Sequence, residues 1–289
     1  MYKDSHCQSD IFIKTSYLEE RQTMTELELQ REKDLQRIAD FRLFDDDFLS
    51  EVFDNNTKVA ALILNIILER SDMKVIKAET QSEYKSATMR SIKLDVRAED
   101  TARKVYDIEI QRSDHGNGAK RARVHSSMID RTLLQKGQDF DSIVDTYVIF
   151  ITENDKYDAG LPMYHIDRTI KELSHVSFED GAHIIYVNGE YRDTAHPIGK
   201  LMHDFNCKNA SDMLLSELAE SVRYYKETEG GRSHMCRAME DMRDETARKK
   251  AIEIALKMLS GGKLNMEEIA EYSGLTIDEV KELANKQSA

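Results

Sequence analysis

The chain has 289 residues, of which 40% are hydrophobic, and it carries a formal net charge of -13 at pH 7. This length and composition exclude an intrinsically disordered chain and are sufficient for a large domain with a buried core. The acidic balance excludes a protein that coats nucleic acid or an anionic membrane nonspecifically, so a polyanionic partner requires a locally basic surface.

Three scattered cysteines, Cys7, Cys207 and Cys236, have neither the paired spacing of a zinc-binding motif nor the density of a disulfide scaffold. We therefore expect reduced thiols in a cytoplasmic protein. No stretch approaches about 18 consecutive apolar residues, and the polar first residues are unlike a signal peptide. The sequence thus predicts neither membrane insertion nor export.

Helical patterns dominate the first part of the chain. Residues 1–40 are polar and charged, and we expect an N-terminal helical arm there. Between Phe44 and Phe53 apolar residues recur at helical spacing, and Asp45 or Asp46 is positioned to cap the first turn. Two further elements are predicted before residue 81, a strongly apolar helix over 58–69 and a strand over 73–80.

Residues 91–111 are predicted to form two strands joined by a tight turn, because polar and apolar residues alternate on both sides of Thr101. A hairpin centred near Thr101 places Asp95 opposite Asp107 and diagonal to Glu109 on the polar face. Two interpretations follow. The acids belong to an exposed sheet face, or their mutual repulsion is neutralised by a shared divalent cation or a proton.

A helix is predicted over 118–136, with Gly137 as its C-terminal glycine. Lys120, Arg121 and Arg123 lie in its first turns, where cations oppose the helix dipole at a cost of a few tenths to about 1 kcal/mol each. Residues 112–136 carry six basic residues against two acidic ones. This excess indicates either a solvated basic face or a phosphate-binding surface. His125, in the same segment, is expected to be a hydrogen-bonded structural residue.

The second half begins with strands and ends with helices. The apolar run over 147–151 predicts a central strand buried on both faces, and shorter strands are predicted over 163–168 and 183–187. From Pro197 onward the pattern is mainly helical. The last two short helices have the spacing of a helix-turn-helix hairpin, but acids such as Asp278 favour a packing or protein-contact tail over DNA reading.

The order helix, strand, strand, strand, helix, strand, with Asp95 in the second strand and Glu109 in the third, resembles the PD-(D/E)XK nuclease superfamily. More narrowly, the chain resembles the PD-(D/E)XK family transposases, which are related to the Rpn recombination-promoting nucleases. The resemblance covers about residues 44–225. It depends on five short segments in this order, at 94–97, 108–112, 120–123, 147–152 and 183–189.

The resemblance implies an α/β fold, in which a restriction-endonuclease-like core has a mixed sheet flanked by helices. Four regions are expected, an N-terminal arm (1–40), the core (41–195), a helical extension (196–262) and a short helical hairpin tail (263–289).

The resemblance also implies site residues. Asp95, Glu109 and the backbone carbonyl of Ile110 are expected to bind Mg2+, with Mn2+ as a substitute. An acid of the first helix, Asp47 in preference to Glu51, is expected to be an accessory catalytic group. Gln111 is expected to be a catalytic residue, and the DNA-binding residues are expected to be Lys120, Arg121 and Arg123.

Gln111 departs from the superfamily pattern, which has lysine at this position. Glutamine can orient a water molecule by hydrogen bonding but cannot carry positive charge. The expected function is a Mg2+-dependent DNA endonuclease in transposition or recombination, acting as a homodimer because cutting two strands needs two sites. The alternative is a catalytically inactive nuclease-fold protein that binds DNA or a protein partner.

Overall fold

The computed structural model describes residues 25–84, 92–112, 118–134 and 136–287. Contacts divide the chain into two compact units, residues 1–235 and 236–289. The predicted region boundaries at residues 40, 195 and 262 stay predictions. None of the helices in the described part of the chain combines the length and apolar character needed to cross a bilayer.

The first unit alternates helices and strands in the predicted order. Three helices come first: α1 (Glu26–Asp40), α2 (Asp46–Phe53) and α3 (Thr57–Ile67). Three strands, one helix and one strand follow: β1 (Val75–Tyr84), β2 (Ile92–Asp100), β3 (Val105–Gln111), α4 (Ala119–Leu133) and β4 (Thr146–Thr152). The remaining elements are β5 (Met163–Ile166), β6 (Thr169–Ile170), β7 (Val176–Ser177), β8 (Ala182–Asn188), α5 (Pro197–Asn206) and α6 (Ser216–Glu227). Helix α7 (Glu229–Gly261) crosses the division between the units.

Six strands form one mixed sheet in the order β1-β2-β3-β4-β8-β5. Strands β1 to β3 pair antiparallel, β3-β4 and β4-β8 pair parallel, and β5 is antiparallel to β8. The apolar run over 147–151 therefore lies in a central strand, as its composition predicts. This mixed sheet flanked by helices confirms the predicted α/β fold class.

Helices cover the sheet because their apolar stripes need burial. Helix α2 buries Phe48, Leu49, Val52 and Phe53 and contacts β1 and β2. Burial of each such side chain contributes about 1.5–3 kcal/mol relative to exposure. Helix α4 packs Ala122 and Ile129 against Val148 and Phe150 of β4. As a result, six of the seven residues of β3 are buried, including Asp107 and Glu109.

The register of the predicted hairpin was wrong by two residues. Strand β2 pairs Arg97 with Asp107 and Val96 with Ile108, so Asp95 continues the ladder next to Glu109 and not opposite Asp107. The turn is longer than predicted, because Asp100 accepts hydrogen bonds from the backbone N–H groups of Ala102 and Lys104. That turn determines which residues face each other across the strands.

Of two predicted helix caps, that of Gly137 was wrong, whereas Asp45 occupies its predicted N-cap position without the side-chain hydrogen bond. Helix α4 ends at Leu133, and the extended Leu134 follows it, so Gly137 (φ 91°) belongs to a later turn. Asp45 is the N-cap residue of α2 but makes no side-chain cap. Its carboxylate instead accepts a hydrogen bond from Arg42 N at 2.7 Å and forms an ion pair with Arg112 at 2.5 Å. Asp45 therefore connects the start of α2 to the end of β3.

The second unit contains the C-terminal part of α7 and the helices α8 (Met266–Ser273) and α9 (Ile277–Gln287). Asn265 and Glu268 form a capping box at the start of α8, and Gly274 (φ 76°) turns the chain towards α9. Ile269 and Val280 are buried in a small core that joins these helices. The two predicted short helices are present, and their role stays a prediction.

Candidate active site

The two carboxylates singled out in the sequence are brought together by β2 and β3. Asp95 Oδ2 accepts a hydrogen bond from the backbone N–H of Ile110 at 2.9 Å. In the opposite direction, the backbone N–H of Asp95 donates to Glu109 Oε1 at 3.1 Å. Each side chain therefore reaches across to the neighbouring strand, and the two acids lie side by side on one face of the sheet.

Burial makes this pair of acids electrostatically costly. Glu109 is fully buried, and Asp95 is partly buried. Burial and the charge of Glu109 raise the pKa of Asp95 to about 7. Burial and the charge of Asp107 raise the pKa of Glu109 to about 7, although His125 and Arg121 oppose this shift. The site thus concentrates negative charge in a poorly solvated place, where a cation or protons can stabilise it.

Arg121 supplies the cation nearest to Glu109. Its Nη2 donates to Glu109 Oε2 at 2.7 Å, and 36% of the arginine side chain is exposed. Of the three cations predicted to bind DNA, Arg121 is therefore engaged in an ion pair. Lys120 and Arg123 are exposed, and neither has an ion pair among the described residues.

His125 was expected to be a hydrogen-bonded structural residue, and its hydrogen bonds place it in this site. His125 Nδ1 lies 2.9 Å from Asp107 Oδ2 and 3.7 Å from Glu109 Oε1. His125 Nε2 accepts from Arg121 Nε at 3.2 Å, so Nδ1 carries the proton and donates it to Asp107. Burial lowers the pKa of His125, which favours this neutral form.

Asp107 is the least compensated of these groups. Its side chain is fully buried, and within the described part of the chain its Oδ1 has no hydrogen-bond partner. Burial raises its pKa to about 8. The signal for this group was present in the sequence, since Arg121 and His125 are one helical turn apart and Asp107 alternates with Glu109 on the same face of β3.

The acids of α2 differ in their relation to the pair. Asp46 is exposed, partial desolvation and the charge of Asp47 raise its pKa, and its own charge contributes to the raised pKa of Asp95. Asp47 instead pairs with Arg37 at 3.4 Å, and Glu51 contacts His234 at 2.5 Å. The electrostatic interaction with Asp95 therefore favours Asp46 among the acids of α2, while an accessory role of Asp47 stays a prediction.

Gln111 follows Glu109 on the same face of β3 and is partly exposed. Its backbone carbonyl accepts a hydrogen bond from Glu153 N at 2.8 Å, which holds the end of the strand. The positive charge that glutamine lacks is present one element later, on Arg121 of α4. The site therefore combines a neutral hydrogen-bonding side chain from the strand with a cation from the helix.

The donor set fits a divalent metal ion. Carboxylate oxygens are the ligands that Mg2+ prefers, and Asp95 and Glu109 present them on adjacent strands. One ligand atom each from Asp107, Glu109 and His125 also lie within 4.8 Å of one another. The repulsion that raises the pKa values of these acids would be relieved by a bound cation.

Paired carboxylates in a mixed sheet, beside a basic helix, are an arrangement suited to metal-assisted phosphodiester chemistry. A family model described as PD-(D/E)XK nuclease family transposase matches residues 48–195, and the chain belongs to this family. This match confirms the predicted family and indicates a role as a nuclease or in transposition. No curated protein and no solved structure matches the chain.

Proposed function

We propose that the protein is a Mg2+-dependent DNA endonuclease that hydrolyses phosphodiester bonds during transposition or DNA recombination. The observation that supports this function best is the hydrogen-bonded contact between the segments of Asp95 and Glu109 in a nuclease-family chain. Two buried acids with raised pKa values destabilise a fold, and a catalytic or ligand-binding role accounts for their presence.

Asp95, Glu109 and the carbonyl of Ile110 would hold the ion, and Mn2+ would fit the same oxygen ligands. When bound, Mg2+ polarises a phosphoryl oxygen and lowers the pKa of a coordinated water. Gln111, on the same strand face as Glu109, orients the attacking water by hydrogen bonding. Asp46 or Asp47 supplies an accessory carboxylate from α2.

Helix α4 supplies the positive charge of the proposed site. Arg121 neutralises Glu109 and donates to His125, which in turn donates to Asp107, so these hydrogen bonds hold the guanidinium in place. Lys120 and Arg123 are exposed on the first turns of the same helix, where they can contact the DNA backbone. We therefore propose that helix α4 positions a phosphate beside the acids.

The direct test is nicking of supercoiled plasmid by the purified protein with Mg2+. We expect Asp95→Ala and Glu109→Ala each to lower the nicking rate at least about 100-fold, because each removes a metal ligand. Asp72→Ala, at an exposed acid, is the matched control and should cleave like the wild type. Equal cleavage by all four proteins would show that another protein in the preparation is responsible.

The alternative function is a catalytically inactive nuclease-fold protein that binds DNA or a protein partner. The ion pair between Arg121 and Glu109 favours this alternative, because a guanidinium occupies an oxygen that a metal ion would use. Calorimetric titration with Mn2+ separates the two. Binding of metal that disappears in Asp95→Ala supports the enzyme, whereas metal-independent DNA binding that persists in this variant supports the binder.

We also propose that the protein is a homodimer. The described part of one chain contains one such acidic pair, and cutting both strands of a duplex requires two. A closed dimer with two-fold symmetry is the commonest way to provide two equivalent sites.

A further inference from the structure

A second group of metal-ligating side chains lies at the C-terminal end of α5. His203 and Asp204 belong to the last turn of this helix, and Cys207 is its C-cap residue. His203 Nδ1 lies 3.0 Å from Asp204 Oδ1 and 3.6 Å from Cys207 Sγ. The three ligand atoms all lie within 4.8 Å of one another. They share no residue with the acidic site.

The local sequence explains why these donors converge. Residues four apart on a helix lie on the same face, so His203 and Cys207 are neighbours one turn apart. Asp204 points inward and is fully buried. Cys207 Sγ also lies 3.7 Å from the backbone carbonyl of Asp212, so the thiol faces the same small space as the loop after α5.

Asp204 is held in place by the backbone. The N–H groups of Leu214 and Leu215 donate to its two carboxylate oxygens, each at 2.8 Å. Among the described residues, no lysine or arginine forms an ion pair with this buried carboxylate, and the imidazole of His203 is the titratable group in contact with it. A bound cation would replace the contact between Oδ1 and His203 Nδ1, and Oδ2, which accepts from Leu215, can accept a further bond. Asp204 is therefore oriented and retains capacity for a cation.

We infer that His203, Asp204 and Cys207 form a binding site for one zinc ion. Imidazole nitrogen, thiolate sulfur and carboxylate oxygen are the ligands of Zn2+, whereas Mg2+ prefers oxygen alone. This chemistry makes the site different in kind from the pair formed by Asp95 and Glu109. The inference does not depend on the proposed nuclease function.

The spacing of the donors agrees with tetrahedral zinc. Zinc bond lengths of about 2.0–2.1 Å to nitrogen and about 2.3 Å to sulfur give a nitrogen-to-sulfur distance of about 3.6 Å at a tetrahedral angle. The distance between His203 Nδ1 and Cys207 Sγ is 3.6 Å. The nitrogen-to-oxygen distance in such a centre is about 3.4 Å, so His203 and Asp204 need to separate by a few tenths of an ångström. Three protein ligands leave the fourth position to water.

Electrostatics of the surroundings favour a cation. The buried carboxylate of Asp204 and the backbone carbonyl of Asp212, 3.7 Å from Cys207 Sγ, place negative charge beside the three donors. The same negative charge attracts a divalent ion. Because Asp204 also holds the backbone at Leu214 and Leu215, a bound ion would fasten the end of α5 to the segment that precedes α6.

The experiment is a titration of the reduced full-length protein with Co2+, which replaces Zn2+ and absorbs light when bound to thiolate. We expect one equivalent of Co2+ to produce a sulfur-to-cobalt charge-transfer band that Zn2+ abolishes by displacement. His203→Gln and Cys207→Ser should weaken Co2+ binding at least about 10-fold, as expected on losing one ligand. Cys236→Ser, at a second half-buried cysteine, is the matched control and should retain the band.

Circular dichroism of each variant verifies that the chain is folded, and Asp204→Asn is avoided because Asp204 anchors two backbone amides. Absence of a charge-transfer band in the folded wild type would overturn the inference. A band that persists in Cys207→Ser would assign the thiolate to another cysteine and would overturn it as well. Retention of the charge-transfer band in Asp95→Ala, together with loss of nicking, would show that the zinc site is separate from the nuclease site.

Discussion

Replacement of Asp95 by asparagine is expected to stabilise the metal-free protein while abolishing its activity. The carboxylate is partly buried beside Glu109, and its pKa is raised from 3.8 to about 7. A pKa increase of this size means that ionisation of Asp95 costs about 4 kcal/mol more in the folded chain than in the unfolded chain. Asparagine keeps an oxygen that can accept from Ile110 N but carries no charge, so we expect a gain in unfolding free energy of about 2–4 kcal/mol at pH 8.

The sign of this effect depends on pH. Below about pH 4 Asp95 is protonated in both the folded and the unfolded chain, so the charge costs nothing. Between about pH 4 and about pH 7 the unfolded chain loses the proton first, so the wild type becomes less stable as pH rises. Above about pH 7 the carboxylate is charged in the folded chain as well, and the loss of unfolding free energy no longer changes with pH. The advantage of Asp95→Asn should therefore grow with pH and then level off near the folded pKa.

Urea denaturation in EDTA, followed by circular dichroism at several pH values from about 4.5 to 8, measures this dependence. Asp72→Asn is the matched control, since Asp72 is exposed and its pKa is lowered by a hydrogen bond from Arg70. That variant should show no gain that grows with pH. An Asp95→Asn variant that is less stable than the wild type at pH 8 would refute the claim that the acidic site is electrostatically strained.

Two further predictions concern α4 and assembly. Arg121→Met leaves Glu109 buried without its cation, so we expect a loss of about 1–3 kcal/mol at pH 8, less than for a fully buried pair because Arg121 is 36% exposed. Urea denaturation measures this loss, and the exposed Arg123→Met should stay within about 0.5 kcal/mol of the wild type. For the proposed homodimer we expect sedimentation at the mass of two chains at micromolar concentration; a monomer at all concentrations would contradict it.

Local patterns in the sequence predicted the elements well and the contents of the site in part. The alternation around Thr101 correctly identified the β2-β3 hairpin and brought Asp95 and Glu109 to one face. The predicted register failed because the turn after Asp100 is longer than a minimal hairpin turn. Alternation reports which residues share a face, whereas register depends on turn geometry.

The functional surroundings of the pair were harder to predict. Asp107 was expected on a polar face, yet it is buried, because α4 covers that face of a strand in the middle of the sheet. Arg121 is paired with Glu109, which the sequence did not indicate, and its expected contact with DNA stays a prediction. The spacing of the cysteines showed no zinc-binding motif. The group of His203, Asp204 and Cys207 was missed because a single histidine or aspartate gives no indication of which side chains lie near it in the fold.

The sequence by itself determined the α/β class, the order of the elements and the shared face of Asp95 and Glu109. Periodicities of two and about 3.6 residues are local properties, so they can be read without knowledge of distant contacts. Only the tertiary structure decided that these acids are buried, that Arg121 and His125 reach them, and how negative charge is compensated. Burial and charge compensation depend on which segments pack together, and that packing is a property of the whole chain.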